Sequence, residues 1–319
     1  CCLWRCESSV HHNDGLLNVN GIFENRFDVI LTNPPFGSRV EKTLKITEAD
    51  KYTDIERIKK YQKRYGPAYD QALRQVNDNI NKPLLSLYKT GTMSTLTEVL
   101  FIERCLNLLK PGGRMGIVLP EGVLNNTNLQ KIRDFVESRA KILLITSIPQ
   151  DVFIASGATV KPSLLFFKKF TEEETKHYNS IVKKVQKQVT ESYKVLIQPI
   201  EEKLALRGKD APSADDKKLL KAELKQLEEK IANEIKLKVK EAFNYQIPIA
   251  EVEKAGISTT GSVIENELEP LAIEFKNYRE QNQLWSNAIK EIQYPIENEY
   301  ISRVRIYDGV VSEPETFYN

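Results

Sequence analysis

The chain has no Cys-x-x-Cys pair and little histidine. Its cysteines are Cys1, Cys2, Cys6 and Cys105 and its histidines His11, His12 and His177, and no spacing among them completes a zinc site. No metal centre is expected, and the cysteines read as free thiols of a reducing cytoplasm. Long apolar runs are also missing. None approaches the ~20 residues that span a bilayer, and the opening CCLWRCESSV has neither the basic start nor the apolar core of a secretory signal. A membrane-spanning helix is thereby excluded. Nor is there an excess of one charge. Lys and Arg number 46 against 44 Asp and Glu, a formal net charge of +2, so composition alone singles out no nucleic-acid partner.

What is present is the text of an ordinary globular protein of 319 residues, long enough for two or three domains. Up to about Phe170, short apolar runs alternate with amphipathic stretches, the pattern of a parallel sheet with crossover helices. The runs are FDVILT (27–32), MGIVLP (115–120), ILLITSI (142–148) and SLLFFKK (163–169), each apolar enough to be buried on both faces. Between the first two lie a long polar interval and then a helix from roughly Leu96 to Leu109, with Val99, Ile102, Leu106 and Leu109 on one face. The segment KPGGR (110–114) supplies a turn after it. A further helix is expected around Leu129 to Glu137. Four strands are few for such a sheet.

From Thr171 to Ala242 the composition shifts to Lys, Glu, Gln and Leu, with a break near Gly208 to Ser213. Two long helices forming a hairpin are predicted. In the second, Leu220, Leu224, Leu227, Ile231 and Ile235 recur every three or four residues and form one stripe. That stripe can pack on the first helix or serve a partner. Pro199 should kink or restart the first helix. Beyond Phe243 the text reads as loops and turns, followed by a helix from Glu267 to Trp285 with Leu268, Leu271, Phe275 and Tyr278 on one side. The expected domains are therefore 1–170, 171–243 and 244–319.

The residues that carry chemistry are Asn33, Pro34, Pro35 and Phe36, which follow directly on the FDVILT strand. In open α/β sheets that edge is where ligands bind. In an unplaced loop the same residues would be no more than a turn. An exocyclic amino group on a flat ring has its lone pair delocalised into the ring, so it attacks an electrophilic methyl group poorly unless it is drawn out of the plane. The carboxamide oxygen of Asn33 and the backbone carbonyl of Pro34 could each accept one amino proton and favour the pyramidal nitrogen. The two prolines fix their own φ and bias Asn33 to extended backbone, so both acceptors are held before a substrate arrives. Phe36 would stack on the base. A base paired in a duplex must first be flipped out, which costs about a few kcal/mol, and stacking returns about 1–3 kcal/mol.

An N-P-P-[FYW] loop after an apolar strand resembles the catalytic motif of amino-group methyltransferases, and NPPF favours those acting on DNA adenine. Together with LNLLKPGGRMGIVLPEGVL (106–124) and SIPQDVFIASGATVKPSLLFFKK (147–169), it makes the chain similar to the modification subunits of type I restriction-modification systems. The likeness covers residues 13–170 and, more loosely, 252–261. It implies an α/β fold with a Rossmann-like, S-adenosylmethionine-dependent methyltransferase sheet followed by a helical hairpin. It also implies methyl transfer from S-adenosylmethionine to N6 of a flipped adenine. By the same likeness Asp14, in NDGL (13–16), takes the place of an acidic residue near the adenine ring of the cofactor, and Asn33 borders the cofactor as well as the base. The partners implied are DNA, a specificity subunit, a restriction subunit and a second modification subunit. The carboxyl-terminal helices would contribute to the contact with the specificity subunit.

Other residues weigh less. Asn-Asp-Gly is also a common turn. Asp28 reads as a residue that opens a strand rather than a catalyst. Arg39, Lys42 and Lys45 suit either phosphate contacts or a solvated loop, and Glu121 and Lys161 lie in matching segments without a chemical step that needs them. The glycine-rich D-P-x-x-G-[ST]-G loop through which such enzymes hold the methionine part of the cofactor does not occur in the sequence. The sheet is accordingly expected to be incomplete, with its first strands missing and a sticky apolar edge at FDVILT, and the chain to transfer no methyl group without a complementing piece. Two other readings stay open: an amino-methyltransferase acting on RNA or on protein glutamine, and a truncated, non-catalytic scaffold.

Overall fold

The structure is a computed structural model. It describes residues 13–154, 159–208 and 211–285, and beyond these the backbone of short strands at Ile292–Gln293, Arg303–Val304, Ile306–Tyr307 and Val310–Val311. Cys1, Cys2, Cys6, His11 and His12 lie outside the described residues. The chain divides into two units, Cys1–Glu251 and Val252–Asn319.

The first unit is built on a five-stranded sheet. Its strands are β1 (Phe27–Thr32), β2 (Leu109–Pro120), β3 (Ala140–Ser147), β4 (Pro162–Lys169) and β5 (Ile249–Glu251), in the order β1-β2-β4-β3-β5. The four apolar runs of the sequence are thus strands, and the α/β class holds, but the sheet is mixed. β1 lies parallel to β2 and β3 to β5, whereas β4 runs antiparallel between β2 and β3. A strand buried on both faces is apolar whichever way it runs, so composition left its direction open. The KPGG segment is not a free turn either. It is part of β2, as an irregularity between the Phe27–Leu109 and Val29–Arg114 pairs. Gly112 there has φ +78, and a Cβ at Gly113 would lie 2.9 Å from Lys110 O and 3.1 Å from Phe27 O, a clearance only glycine tolerates.

The helices of this unit are α1 (Ile55–Tyr65), α2 (Pro67–Asn77), α3 (Thr97–Leu108), α4 (Gly122–Asn125), α5 (Gln130–Glu137), α6 (Asp151–Ile154), α7 (Glu172–Ala205) and α8 (Ala214–Ala242). Val99, Ile102 and Leu106 of α3 and Ile132, Phe135 and Val136 of α5 pack on Met115, Ile117, Leu119, Leu165 and Phe167 of the sheet. Each such side chain contributes about 1.5–3 kcal/mol by leaving water. Among the described residues β1 is an edge strand, and its Val29 and Leu31 are 50% and 78% exposed. The interval between β1 and α3, which reads as polar, is not a loop. α1 and α2 fold there against each other: Tyr61 of α1 stacks on Tyr65 one turn further along the same helix and on Tyr69 of α2, and with Phe23 and Ala72 these rings form a small core of their own.

α7 and α8 form the predicted hairpin. Thr171 and Glu174 close a capping box at the start of α7, and Ser213 caps α8. Ile231 and Ile235 pack against Val185 and Val189, so the inner half of the stripe is used within the hairpin. Pro199 neither ends nor restarts α7, which is continuous to Ala205. The base of the hairpin is tied to the sheet unit by ion pairs, Lys236–Asp134 at 2.5 Å and Lys240–Glu137 at 2.6 Å. Lys141 and Lys168 converge there on Glu174.

The second unit contains a hairpin of β6 (Ala255–Ile257) and β7 (Val263–Asn266) and the helix α9 (Leu268–Gln281). Leu268, Leu271, Phe275 and Tyr278 are half-buried along α9, on the side the spacing predicts. The segment after Phe243 is therefore more regular than loops and turns. Its β strands have three or four residues each, too short to leave a period in the sequence.

Candidate functional site

β1 ends at Thr32, and Asn33–Phe36 follow at its carboxyl end. Pro34 is buried, Phe36 half-buried, and Asn33 and Pro35 are exposed. The loop is braced by the segment that opens α3. Val40 N donates to Thr95 O at 2.9 Å and Thr97 N to Ser38 O at 2.9 Å. The Thr97 hydroxyl donates to the same Ser38 carbonyl at 3.1 Å, and Arg39 Nη1 to Thr95 Oγ1 at 3.2 Å. Gly37 N donates to Glu98 Oε1 at 3.4 Å. Gly37 has φ +71, which turns the chain sharply after Phe36 and favours glycine. Two prolines before the turn and five hydrogen bonds after it leave the loop little freedom.

Phe36 does not stand alone. Phe153 of α6 meets it edge to face, with ring centroids 5.7 Å apart and planes at 77°. β3 delivers α6 to the same rim of the sheet that β1 gives to Asn33. Sequence reasoning did not single out Phe153, although it lies in the quoted 147–169 segment. On the same rim Lys161 sits between Glu121 at 3.7 Å and Glu251 at 3.4 Å. These two residues, singled out in the sequence without a role, therefore form an ion pair.

Asp14 lies in a turn of its own. Its Oδ1 accepts from Leu16 N at 2.9 Å and its carbonyl from Leu17 N at 3.0 Å. The turn is held by Arg104 of α3, which is 2% exposed and donates to Gly15 O at 3.1 Å, Leu17 O at 2.8 Å and Asn18 Oδ1 at 2.6 Å. Burial lowers the pKa of this guanidinium, but three acceptors keep the charge solvated by protein. The buried Tyr88 hydroxyl also donates to Leu16 O. Among the described residues no hydrogen bond joins Asp14 to Asn33–Phe36. α3 connects them, because its first turn braces the loop and Arg104 pins the Asp14 turn. The Asp14 side chain is exposed, and a carboxylate bonded through one oxygen retains acceptor positions suited to the hydroxyl or amino donors of a nucleoside.

The remaining candidates resolve as surface groups. Asp28 pairs with Lys110 at 2.8 Å. Arg39 belongs to the brace, and Lys42 and Lys45 are exposed. Among the described residues no group of three or more His, Cys, Asp or Glu could hold a metal ion, and no helix is long and apolar enough to cross a membrane.

The family model described as N-6 DNA Methylase matches residues 66–254, a span that takes in β2 to β5 and the helical hairpin but begins beyond Asn33–Phe36. The type II methyltransferase M.BstVI of Geobacillus stearothermophilus is 27% identical over 168 residues, which is 52% of this chain and 23% of that protein. The chain thus spans about a quarter of the length of this curated relative. A solved modification subunit of a putative type I restriction enzyme from Vibrio vulnificus is 22% identical, covering 46% of this chain and 23% of that one with a TM-score of 0.30. A putative class I S-adenosylmethionine-dependent methyltransferase from Listeria monocytogenes is 21% identical, covering 50% and 36% with a TM-score of 0.29. At these TM-scores the weight rests on the family match and on the sheet itself.

Proposed function

Since the chain belongs to the N-6 DNA methylase family, we propose that it carries the catalytic loop of a DNA adenine-N6 methyltransferase, in the modification subunit of a type I restriction-modification system acting in the cytoplasm. The observation that carries this reading is the rigid Asn33–Phe36 loop at the carboxyl end of β1, with the ring of Phe153 packed against that of Phe36. S-adenosylmethionine, when bound, supplies an electrophilic methyl group. Asp14 and Asn33 are the residues that would border it. The chain's own contribution is to capture and activate the base. Phe36 offers the face of its ring to a flipped adenine and Phe153 closes the side. Stacking of this kind offsets about 1–3 kcal/mol of the unstacking cost. Asn33 Oδ1 and the Pro34 carbonyl accept the two amino protons, which draws the nitrogen out of conjugation and turns its lone pair toward the methyl donor. The buried Pro34 and the brace from α3 keep these acceptors from reorganising during the step.

DNA, a specificity subunit, a restriction subunit and a second copy of the modification subunit are the partners of this reading. The far part of the hairpin supports a contact of this kind, because Val195, Leu196, Leu206 and Leu219 are 79%, 54%, 47% and 69% exposed, apolar side chains that the hairpin itself does not cover. Calorimetric titration with S-adenosylmethionine tests the enzyme reading. Binding is expected when a polypeptide carrying the glycine-rich cofactor loop is supplied with the chain, and not to the chain alone. Absence of binding in both cases would overturn the reading.

A further inference from the structure

Two glutamates of α3 are buried to the same degree and differ in every other respect. Glu103 is 4% exposed and its oxygens are fully engaged, Oε1 by Lys89 N at 3.1 Å and Oε2 by Thr90 N at 2.7 Å and the Thr90 hydroxyl at 2.8 Å. Glu98 is 3% exposed, yet among the described residues its Oε1 accepts only from Gly37 N at 3.4 Å. Its Oε2 is buried with no hydrogen-bond partner among the described residues. A buried carboxylate with an orphan oxygen does not stabilise a fold, since desolvation outweighs one long hydrogen bond. The first turn of a helix normally keeps an acidic side chain in solvent near the free N–H groups. Here it is turned inward against the residue that follows Phe36.

We propose that Glu98 is a positioning residue for the Asn33–Phe36 loop, holding Gly37 in its left-handed turn and thereby setting the ring of Phe36, at a cost to stability. The inference rests on the reading of that loop as the base-capturing site. Of the five hydrogen bonds of the brace, it is the one made by a buried side chain and the one nearest Phe36. The other four attach to Ser38, Arg39 and Val40, which can shift without moving Phe36. Gly37 is exposed, so its N–H finds water when the carboxylate is removed, and losing the clamp frees the loop without unfolding anything.

The test compares Glu98→Met, Glu98→Gln and, as a control, Glu103→Met in this chain and in its assembly with the cofactor-loop polypeptide. Glu98→Met keeps the volume and removes the orphan oxygen. Its melting temperature is expected to be unchanged or raised while hydrogen exchange at the Gly37 amide accelerates about fivefold, the worth of one hydrogen bond. Glu98→Gln retains an acceptor for Gly37 and restores the slow exchange. Glu103→Met lowers the melting temperature and leaves Gly37 exchange alone. In methyl transfer, Glu98→Met lowers kcat with the KM for the methyl donor unchanged, and Glu98→Gln recovers kcat. A fall in melting temperature matching that of Glu103→Met, with Gly37 exchange and kcat unaltered, would overturn the proposal and make Glu98 a structural residue. If the wild-type assembly transfers no methyl group to DNA, the functional reading fails, and the Gly37 exchange still decides whether Glu98 holds the loop.

Discussion

Phe36 and Phe153 meet edge to face, with ring centroids 5.7 Å apart, although one follows β1 and the other arrives after β3. The pair makes an aromatic corner at the rim of the sheet. Truncating Phe153 to alanine removes the neighbouring ring and leaves Phe36 itself in place. The loss expected in kcat/KM for methyl transfer is about 1 kcal/mol, or roughly fivefold. Phe36→Ala removes the face itself and is expected to cost about 1–3 kcal/mol. Wild-type kcat/KM in Phe36→Ala would mean that its ring is not the stacking surface.

Arg104 is the pin between α3 and the Asp14 turn. Arg104→Met keeps most of the apolar stem but leaves Gly15 O, Leu17 O and Asn18 Oδ1 without their donor. A loss of at least about 2 kcal/mol is expected in urea unfolding, together with weaker binding of S-adenosylmethionine through the loosened turn. A variant that unfolds at the wild-type urea concentration would show that the turn is held by its own backbone.

Glu174 ties the hairpin to the sheet. Burial raises the pKa of its carboxyl, but the Thr171 N–H, Lys141 and Lys168 outweigh that and hold it below its ordinary value of 4.5. Because the folded pKa is the lower one, the stability Glu174 contributes is complete above the ordinary carboxylate range and drains away as pH falls through the depressed value. The difference in melting temperature between wild type and Glu174→Gln is therefore expected to be full at neutral pH and to shrink as the pH falls below the ordinary carboxylate range. A difference that stays constant over this range would assign the effect to packing of the side chain.

Cys105 is 4% exposed on α3, and burial pushes its thiol up to about 12. The thiolate is the reactive form, so at neutral pH Cys105 is expected to resist alkylation in the folded protein. Peptide mapping after a timed alkylation should find it modified only at urea concentrations where the chain unfolds. Modification in native buffer would show that α3 opens locally.

The four long strands were legible because each is a largely apolar run, and the proposed base-capturing loop could be picked out because Asn33, Pro34, Pro35 and Phe36 are adjacent in the chain and follow the first run directly. The reversed direction of β4 was not, since pairing direction leaves no mark on a strand buried on both faces. β5 was missed for a different reason. It has three residues, and Ile249 is 75% exposed, so there was neither length nor burial to read. For α1 the signal was the four-residue spacing of Tyr61 and Tyr65, hidden among basic residues, and for α2 Pro67 directly after Gly66. The supports of the site, Glu98, Arg104 and Phe153, lie far from the loop in sequence. A lone glutamate in a first helical turn reads as an exposed charge, and only the tertiary structure shows it turned inward.

Asn33–Phe36 is proposed to activate the amino group of an adenine for methylation. The most direct measurement is mass spectrometry of nucleosides from DNA incubated with methyl-deuterated S-adenosylmethionine and the assembly of this chain with its cofactor-loop polypeptide and a sequence-reading subunit. Label on N6 of adenine is predicted, falling by roughly a hundredfold or more with Asn33→Ala, the usual consequence of removing one preorganised hydrogen-bonding group. No label on the DNA, label on another base, or label on adenine undiminished by Asn33→Ala, would contradict the proposal.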